Sequence, residues 1–291
     1  MLFQRIWAMG DIHGSYLPIE NFWHRNKDNI NFSKETDCII LLGDVGANFF
    51  FSKRDKDFKE KLESFPFTYF CIRGNHEARP SVCASKDPEH WCKEELFEGS
   101  VWVEDNYPDI KYAMDYPYIY NIPYKIDSIW HTPPKEEKNG RKVIAELNFY
   151  NYKTLVVPGA YSVDKYYRIS QGWTWFENEQ LSEEEMNLGR KIIEQTPAFD
   201  LVLSHTCPIS YEPTDLFLST IDQSMVDKTM ERFLGEIEYK INYKLWLFGH
   251  FHAYRVYPRY QNNQIIMLSD GKETINIEEW LNKPEIIHDK Y

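Results

Sequence analysis

Several runs of this chain are apolar at consecutive positions, not at alternate ones. They are Ile6-Trp7-Ala8, Cys38 to Leu42, Phe67 to Ile72, Leu155-Val156-Val157, Leu201-Val202-Leu203 and Leu245 to Phe248. A strand apolar on both faces has to be covered on both faces. The segments between these runs have a different texture. Residues 17–29 mix polar side chains with Phe22 and Trp23, residues 52–64 are rich in Lys, Asp and Glu around Phe58 and Leu62, and 223–242 read as a further helix. Ser182 with Glu185 three residues on has the form of a capping box; the acidic first turn suits the helix dipole, and Pro197 closes the helix. Alternation of buried strands with amphipathic helices predicts an α/β fold.

Residues 78–150 interrupt this pattern. Pro, Trp and Tyr are frequent there, Val101-Trp102-Val103 and Tyr118 to Ile122 read as short antiparallel strands, and Pro133 to Gly140 reads as a solvated loop. The expected organisation is one domain over residues 1–291, with 78–150 as an insertion or cap at the edge of a site. Two more strands are expected at 253–259 and 264–268, followed by an acidic tail.

Composition limits the function classes. With 43% hydrophobic and 27% charged residues the chain can bury a sizeable core. The net charge of −12 disfavours a protein that works by covering the phosphates of long duplex nucleic acid, but leaves room for a nucleotide or a short strand at a metal site. Aromatic residues reach 16%; without a basic setting they read first as core and loop filler, and only second as stacking platforms. The five cysteines (38, 71, 83, 92 and 207) form no CxxC and read as reduced thiols. No signal peptide and no run of about 18 apolar residues is visible, so a cytoplasmic protein with no membrane span is expected.

The chemistry sits just past the apolar runs. Asp11 and His13 follow the first, Asp44 the second, Asn75 and His76 the third, His205 another, and His250 and His252 the last. In open α/β sheets, ligands bind at the carboxyl ends of the strands. One such histidine would be an ordinary loop residue, and one Gly-Asp an ordinary turn; five strand ends carrying metal-ligating types together are poorly explained by chance. Imidazole, carboxylate and amide oxygen without thiolate suit Mn, Fe, Zn, Ni or Co. The set is too large for one tetrahedral ion and suits two six-coordinate ions sharing a bridge, which at about 3.5–4 Å separation form a clamp for phosphate-ester hydrolysis.

Asp11-Ile12-His13, Gly43-Asp44, Gly74-Asn75-His76-Glu77, His205 and Gly249-His250-Phe251-His252, in this order, resemble the calcineurin-like metallophosphoesterase superfamily. The resemblance spans residues 9–252. It implies a four-layer α-β-β-α fold, two packed sheets flanked by helices, with two divalent ions, Mn foremost. It implies that Asp11, His13 and His252 hold one ion, that Asn75, His205 and His250 hold the other, and that Asp44 bridges them. It further implies a metal-bridging hydroxide as nucleophile, with His76 assisting the leaving group. Arg73, directly before Gly-Asn-His-Glu, matches the Ser/Thr phosphoprotein phosphatases of the superfamily and is expected to be catalytic and to bind substrate. Those enzymes carry Asp-Arg-Gly where this chain has Ala47-Asn48-Phe49, and they lack the paired Gly-His-x-His, so the subfamily resemblance is mixed.

The block Gly159 to Arg168, with Gly172-Trp173-Thr174-Trp175, resembles one in bacterial and phage members. Lys165 and Arg168 are candidates to grip substrate phosphate, against an equally weighted reading in which they pair with surface acids. Trp173 and Trp175 are expected to pack. The expected substrate is a nucleotide, a phosphodiester or a small phosphorylated molecule. The alternatives are a phosphoprotein phosphatase and a non-catalytic metal-bound scaffold.

Overall fold

The computed structural model describes residues 3–125, 149–259 and 263–282. In chain order the elements are β1 (Arg5–Met9), α1 (Leu17–Asn26), β2 (Asp37–Leu41), α2 (Lys53–Glu63), β3 (Thr68–Cys71), α3 (Pro80–Lys86), β4 (Trp91–Leu96), β5 (Gly99–Glu104), β6 (Ile110–Tyr112), β7 (Tyr118–Lys125) and β8 (Phe149–Val157). They continue with α4 (Lys165–Ser170), α5 (Glu183–Gln195), β9 (Leu201–Ser204), α6 (Thr229–Lys240), β10 (Leu245–Phe248), β11 (Arg255–Val256), β12 (Gln264–Met267), β13 (Ile275–Asn276) and α7 (Ile277–Leu281).

The strands form a seven-stranded sheet, ordered β13-β1-β2-β3-β6-β5-β4, and a six-stranded sheet, ordered β11-β12-β10-β9-β8-β7. Neighbours from β1 through β6 in the first sheet, and from β12 through β8 in the second, run parallel. The remaining pairings, at the outer parts of both sheets, are antiparallel.

The consecutive apolar runs now have their physical reason. Ile6, Ala8, Cys38, Ile40 and Phe70 point to the other sheet and meet Val156, Leu203, Leu247 and Ile266 in one core. Trp7, Met9, Ile39 and Leu41 point the other way, onto Ile19 and Phe22 of α1 and Phe58 and Leu62 of α2. Val157, Val202, Trp246 and Phe248 likewise pack on Met186 and Ile193 of α5 and Met230, Phe233 and Ile237 of α6. Both phases of each strand are therefore buried, and each large side chain so placed contributes about 1.5–3 kcal/mol. The result is helix, sheet, sheet, helix, the four layers expected. The Ser182–Glu185 capping box opens α5 with both reciprocal hydrogen bonds formed.

Between residues 78 and 150 the described chain enters the two sheets. β6 lies directly beside β3, β5 and β4 extend that sheet, and β7 closes the edge of the other. The poor periodicity has a simple cause: β4 exposes Cys92, Lys93, Glu94 and Glu95 in succession, and β6 is only three residues long. After the short helix α3, residues 91–125 thus join the sheets rather than form a cap. The loop Pro133 to Gly140 lies outside the described residues, as do residues 283–291 of the acidic tail, whose earlier part forms β13 and α7. Val101-Trp102-Val103 and Tyr118 to Ile122 are antiparallel strands, but of different sheets. The segment 223–242 divides into a short 3-10 turn at Gln223–Met225 and α6.

Candidate metal centre

Register brings the candidate ligands together. Met9, Leu41 and Cys71 lie opposite one another across β1, β2 and β3, so the chain leaves all three strands at one height. Leu247 and Leu203 are level in the same way in the second sheet. The loops that follow are bent sharply. His13, Asp44, His250 and His252 have φ of 46°, 46°, 70° and 55°. This left-handed backbone costs non-glycine residues of order 1–3 kcal/mol each, and it clusters at functional sites. Glycine is required where these loops touch: a Cβ on Gly74 would lie 2.1 Å from Asp44 Oδ1, and one on Gly249 2.6 Å from Asp11 Oδ2.

Two groups of donors result. His13 Nε2 and His252 Nε2 are 3.3 Å apart, and Asp11, His13 and Asp44 offer donor atoms all within 4.8 Å of one another. In the second group, Asn75 Oδ1 lies 2.9 Å from His205 Nε2, which is 3.5 Å from Asp44 Oδ1. The rings of His205 and His250 are 4.9 Å apart. Asp44 belongs to both groups. The sheets are tied at this point, because Asp11 Oδ2, after β1, accepts the backbone N–H of His250, after β10; within the first sheet, Asp44 Oδ1 accepts that of His76.

The donor set fits divalent cations. Asp11 Oδ1 is buried without a hydrogen-bond partner, an orphaned anionic acceptor. Burial, together with Asp44, pushes the Asp11 carboxyl up to about 7 against the pull of His205. Burial opposes charge on Asp44 too, but His205, His76 and His13 hold it well below the usual carboxylate range. His205 Nδ1 donates to the Leu42 carbonyl, which leaves Nε2 aimed at Asn75 Oδ1 and Asp44. Burial disfavours its protonation, yet Asp44 and Asp11 raise it to about 9. A proton there occupies the place of a cation, and metal binding displaces such protons. Burial lowers His13 to about 4 and His250 well below the usual range, so both imidazoles keep a lone pair for a metal.

Outer residues set the ligand orientations. Asn75 Nδ2 donates to Ser162 Oγ at 2.9 Å, which turns Oδ1 toward the site. Ser162 is held by Glu179, through N–H to Oε1 at 3.0 Å and Oγ–H to Oε2 at 2.5 Å, and Trp175 Nε1 donates to the same carboxylate. Asp270, just past β12, lies 2.8 Å from His252 Nδ1 and leaves Nε2 free for the centre. The buried Glu77 carboxylate accepts the Gly74 N–H and fixes that loop. Ser162 and Trp175 lie in the block singled out above, and Asp270 follows an apolar strand like the other ligands; Glu179 has no such signal. Ser162→Ala is expected to weaken Mn binding about 10–100-fold by calorimetry. Unchanged affinity would show that Asn75 is held without this chain.

His76 stands apart from both donor groups. Its Nε2 is 3.9 Å from Asp44 Oδ2, and its ring lies 5.7 Å from that of His13 and 6.2 Å from that of Phe49. Burial lowers its pKa, Asp44 opposes this, and Arg168 adds to it. Ala47, standing where the protein phosphatases carry Asp, has no polar group to orient His76, and Asn48, standing where they carry Arg, accepts from Lys59. Arg73 also differs from expectation. It is 3% exposed, donates to the Gly74 and Glu179 carbonyls, and lies 3.7 Å from Asp115, so it braces loops from beneath and lines neither cavity at the centre.

Of the two other cations, Arg168 reaches the site and Lys165 does not. Arg168 lines both a cavity of about 580 Å³ over the donors and an adjoining recess of about 180 Å³ beside Phe49, Phe50 and Arg54. Its Nε also donates to Asp164, so both readings of this residue hold at once. Lys165 instead lies over the Trp175 ring at 4.3 Å. Trp173 is 55% exposed against Tyr167, not packed in a core.

The sequence matches the family model for calcineurin-like phosphoesterases over residues 4–254, and the chain belongs to that family. It is a metal-dependent hydrolase of phosphate esters. No curated protein matches the sequence. Similar solved structures include TT1561 of Thermus thermophilus (12% identity, TM-score 0.49, 96% of each chain covered). A dimetal phosphatase from Danio rerio has 11% identity and a TM-score of 0.44, with 94% of this chain and 89% of that chain covered. The phosphopantetheinyl hydrolase of Mycobacterium tuberculosis has 14% identity and a TM-score of 0.39, with 97% and 94% covered. At these values the family assignment rests on the family model. No helix among the described residues is long and apolar enough to cross a membrane.

Proposed function

We propose that this chain hydrolyses a nucleotide, a phosphodiester or a small phosphorylated molecule, using two divalent ions with Mn foremost and Fe, Zn, Ni or Co also suited. The carrying observation is the pair of donor groups meeting at Asp44, with Asp11 Oδ1 left without a hydrogen-bond partner. Ions held there would supply charge neutralisation for phosphate and Lewis acidity to activate water. The protein's own residues do the rest. His76, outside both donor groups, would meet the leaving oxygen through a ring nitrogen. Arg168, steered by Asp164, offers a guanidinium to the phosphate charge. Phe49 shields His76 on one side.

A phosphoprotein substrate loses support, since Arg73 is turned into the protein, and Ala47 and Asn48 replace the Asp and the second Arg of those enzymes. The complete donor set speaks against a scaffold. The five cysteines are all unpaired, which supports a reducing, cytoplasmic setting. The test is hydrolysis of an aryl phosphate monoester and an aryl diester with Mn, before and after chelation. Turnover that disappears on chelation and returns with Mn supports the reading; turnover indifferent to metal removal sinks it.

A further inference from the structure

The cavity over the donors continues well beyond the space phosphate needs. His13, Asp44, Asn75, His250 and His252 line one end. At the other end are Leu216, Phe217, Leu218, Ile221 and Val226, from the segment between β9 and α6, with Phe251 from the loop after β10. Its volume of about 580 Å³ falls within the roughly 300–1,000 Å³ common for small-molecule sites. Leu216 and Leu218 are 43% and 65% exposed. Several large apolar side chains left facing water around one cavity mark a binding surface rather than a core.

This wall is preformed. Phe217 stacks on Phe251 with centroids 6.3 Å apart and ring planes 28° from parallel, and the Lys228 ammonium sits over the Phe217 ring at 4.5 Å. Lys228 also pairs with Glu212 at 2.6 Å and donates to Gln223. Arg255 grips Asp215 with two hydrogen bonds, and the Tyr257 hydroxyl donates to the Tyr211 carbonyl. Lys228, Glu212 and Gln223 of this end are therefore engaged with one another, and the Arg255–Asp215 and Tyr257–Tyr211 pairs brace the same segment. Asp227 accepts from the Thr229 N–H and hydroxyl and from Gln180, and Glu231 Oε1 accepts from Thr206 while its Oε2 is buried without a hydrogen-bond partner. A sugar seated against Leu216, Phe217, Leu218, Ile221 and Val226 would turn most of its hydroxyls to apolar side chains, which costs free energy without return, the Glu231 Oε2 being one buried acceptor left open to it.

We infer that the phosphate ester cleaved here carries a bulky apolar organic group, alkyl, acyl or aryl, seated against Leu216, Phe217, Leu218, Ile221 and Val226. The inference rests on the phosphoesterase reading for the position of the phosphate and narrows its substrate class. The reacting centre fixes one end of the substrate, and the wall selects the other by area removed from water.

The test is calorimetric binding of n-alkyl phosphonates, methyl to octyl, to the Mn-loaded protein, alongside hydrolysis of the matching alkyl nitrophenyl phosphates. The dissociation constant is expected to fall about fourfold per added CH₂ until the chamber fills. Leu218→Asp and, separately, Ile221→Asp are expected to flatten that slope. Tyr239→Asp, on the exposed face of α6 and 86% accessible, is expected to leave it unchanged. An affinity that is flat or undetectable across the series overturns the inference, whatever the hydrolysis. A steep affinity slope with no ester hydrolysed would uphold the chamber and sink the catalytic reading instead.

Discussion

Asp44→Asn is expected to lower metal-dependent kcat/KM by about 10⁴-fold, the equivalent of losing several kcal/mol of transition-state charge stabilisation. The substitution isolates charge from shape. An asparagine oxygen can still accept the His76 N–H that Asp44 Oδ1 now takes at 2.8 Å, so the loop keeps its anchor. What disappears is the anion common to both donor groups: the carboxylate 3.5 Å from His205 Nε2 that shares a metal-sized cluster with Asp11 and His13. His205 loses the main charge that raises its pKa to about 9. Mn titration of wild type and variant, followed by kcat/KM at saturating metal, measures the effect, with circular dichroism as the check on folding. Near-normal turnover in a folded Asp44→Asn protein would mean that catalysis does not use this centre.

His76→Ala is expected to cost about 10²–10⁴-fold in kcat with Mn affinity unchanged. The separation of the two effects follows from position. His76 is in neither donor group, its nearest carboxylate oxygen being 3.9 Å away, and its ring lines the cavity instead. The loss is expected to be larger for an alkyl leaving group than for nitrophenolate, which departs without a proton. A parallel fall in metal affinity would make His76 a ligand, and equal losses for both leaving groups would remove it from proton transfer.

These predictions rest on residues visible in the sequence, and the reason is geometric. A parallel strand covered on both faces is written as an unbroken apolar run, so its end is visible, and parallel sheets collect their functional side chains at that end. Asp11, His13, Asp44, Asn75, His205, His250 and His252 are all found this way. Their brackets are less legible. Ser162 and Asp270 follow strands as the ligands do, but serine and aspartate after a strand are ordinary turn residues. Glu179 lies in an irregular segment whose path nothing local dictates.

Arg73 shows how local identity can mislead. Its neighbours match the protein phosphatases residue for residue, yet the side chain extends beneath the loop to the Glu179 carbonyl and Asp115, both remote in sequence. Arg168, from α4, supplies the cation near His76 instead. The stretch 91–125 is the corresponding case for the fold. Short strands with exposed edges carry little hydrophobic period, and only pairing with β3 and β8 makes them sheet.

The layered α/β architecture, the positions of the strand ends and the identity of the donors are legible in the chain alone, because burial on two faces and ligand chemistry are both written residue by residue. Folding was needed to settle which arginine lines the cavity over the donors, what holds Asn75 and His252 in place, and that an apolar chamber adjoins the centre. Each of these depends on side chains meeting across elements far apart in the chain, and no local pattern encodes such a meeting.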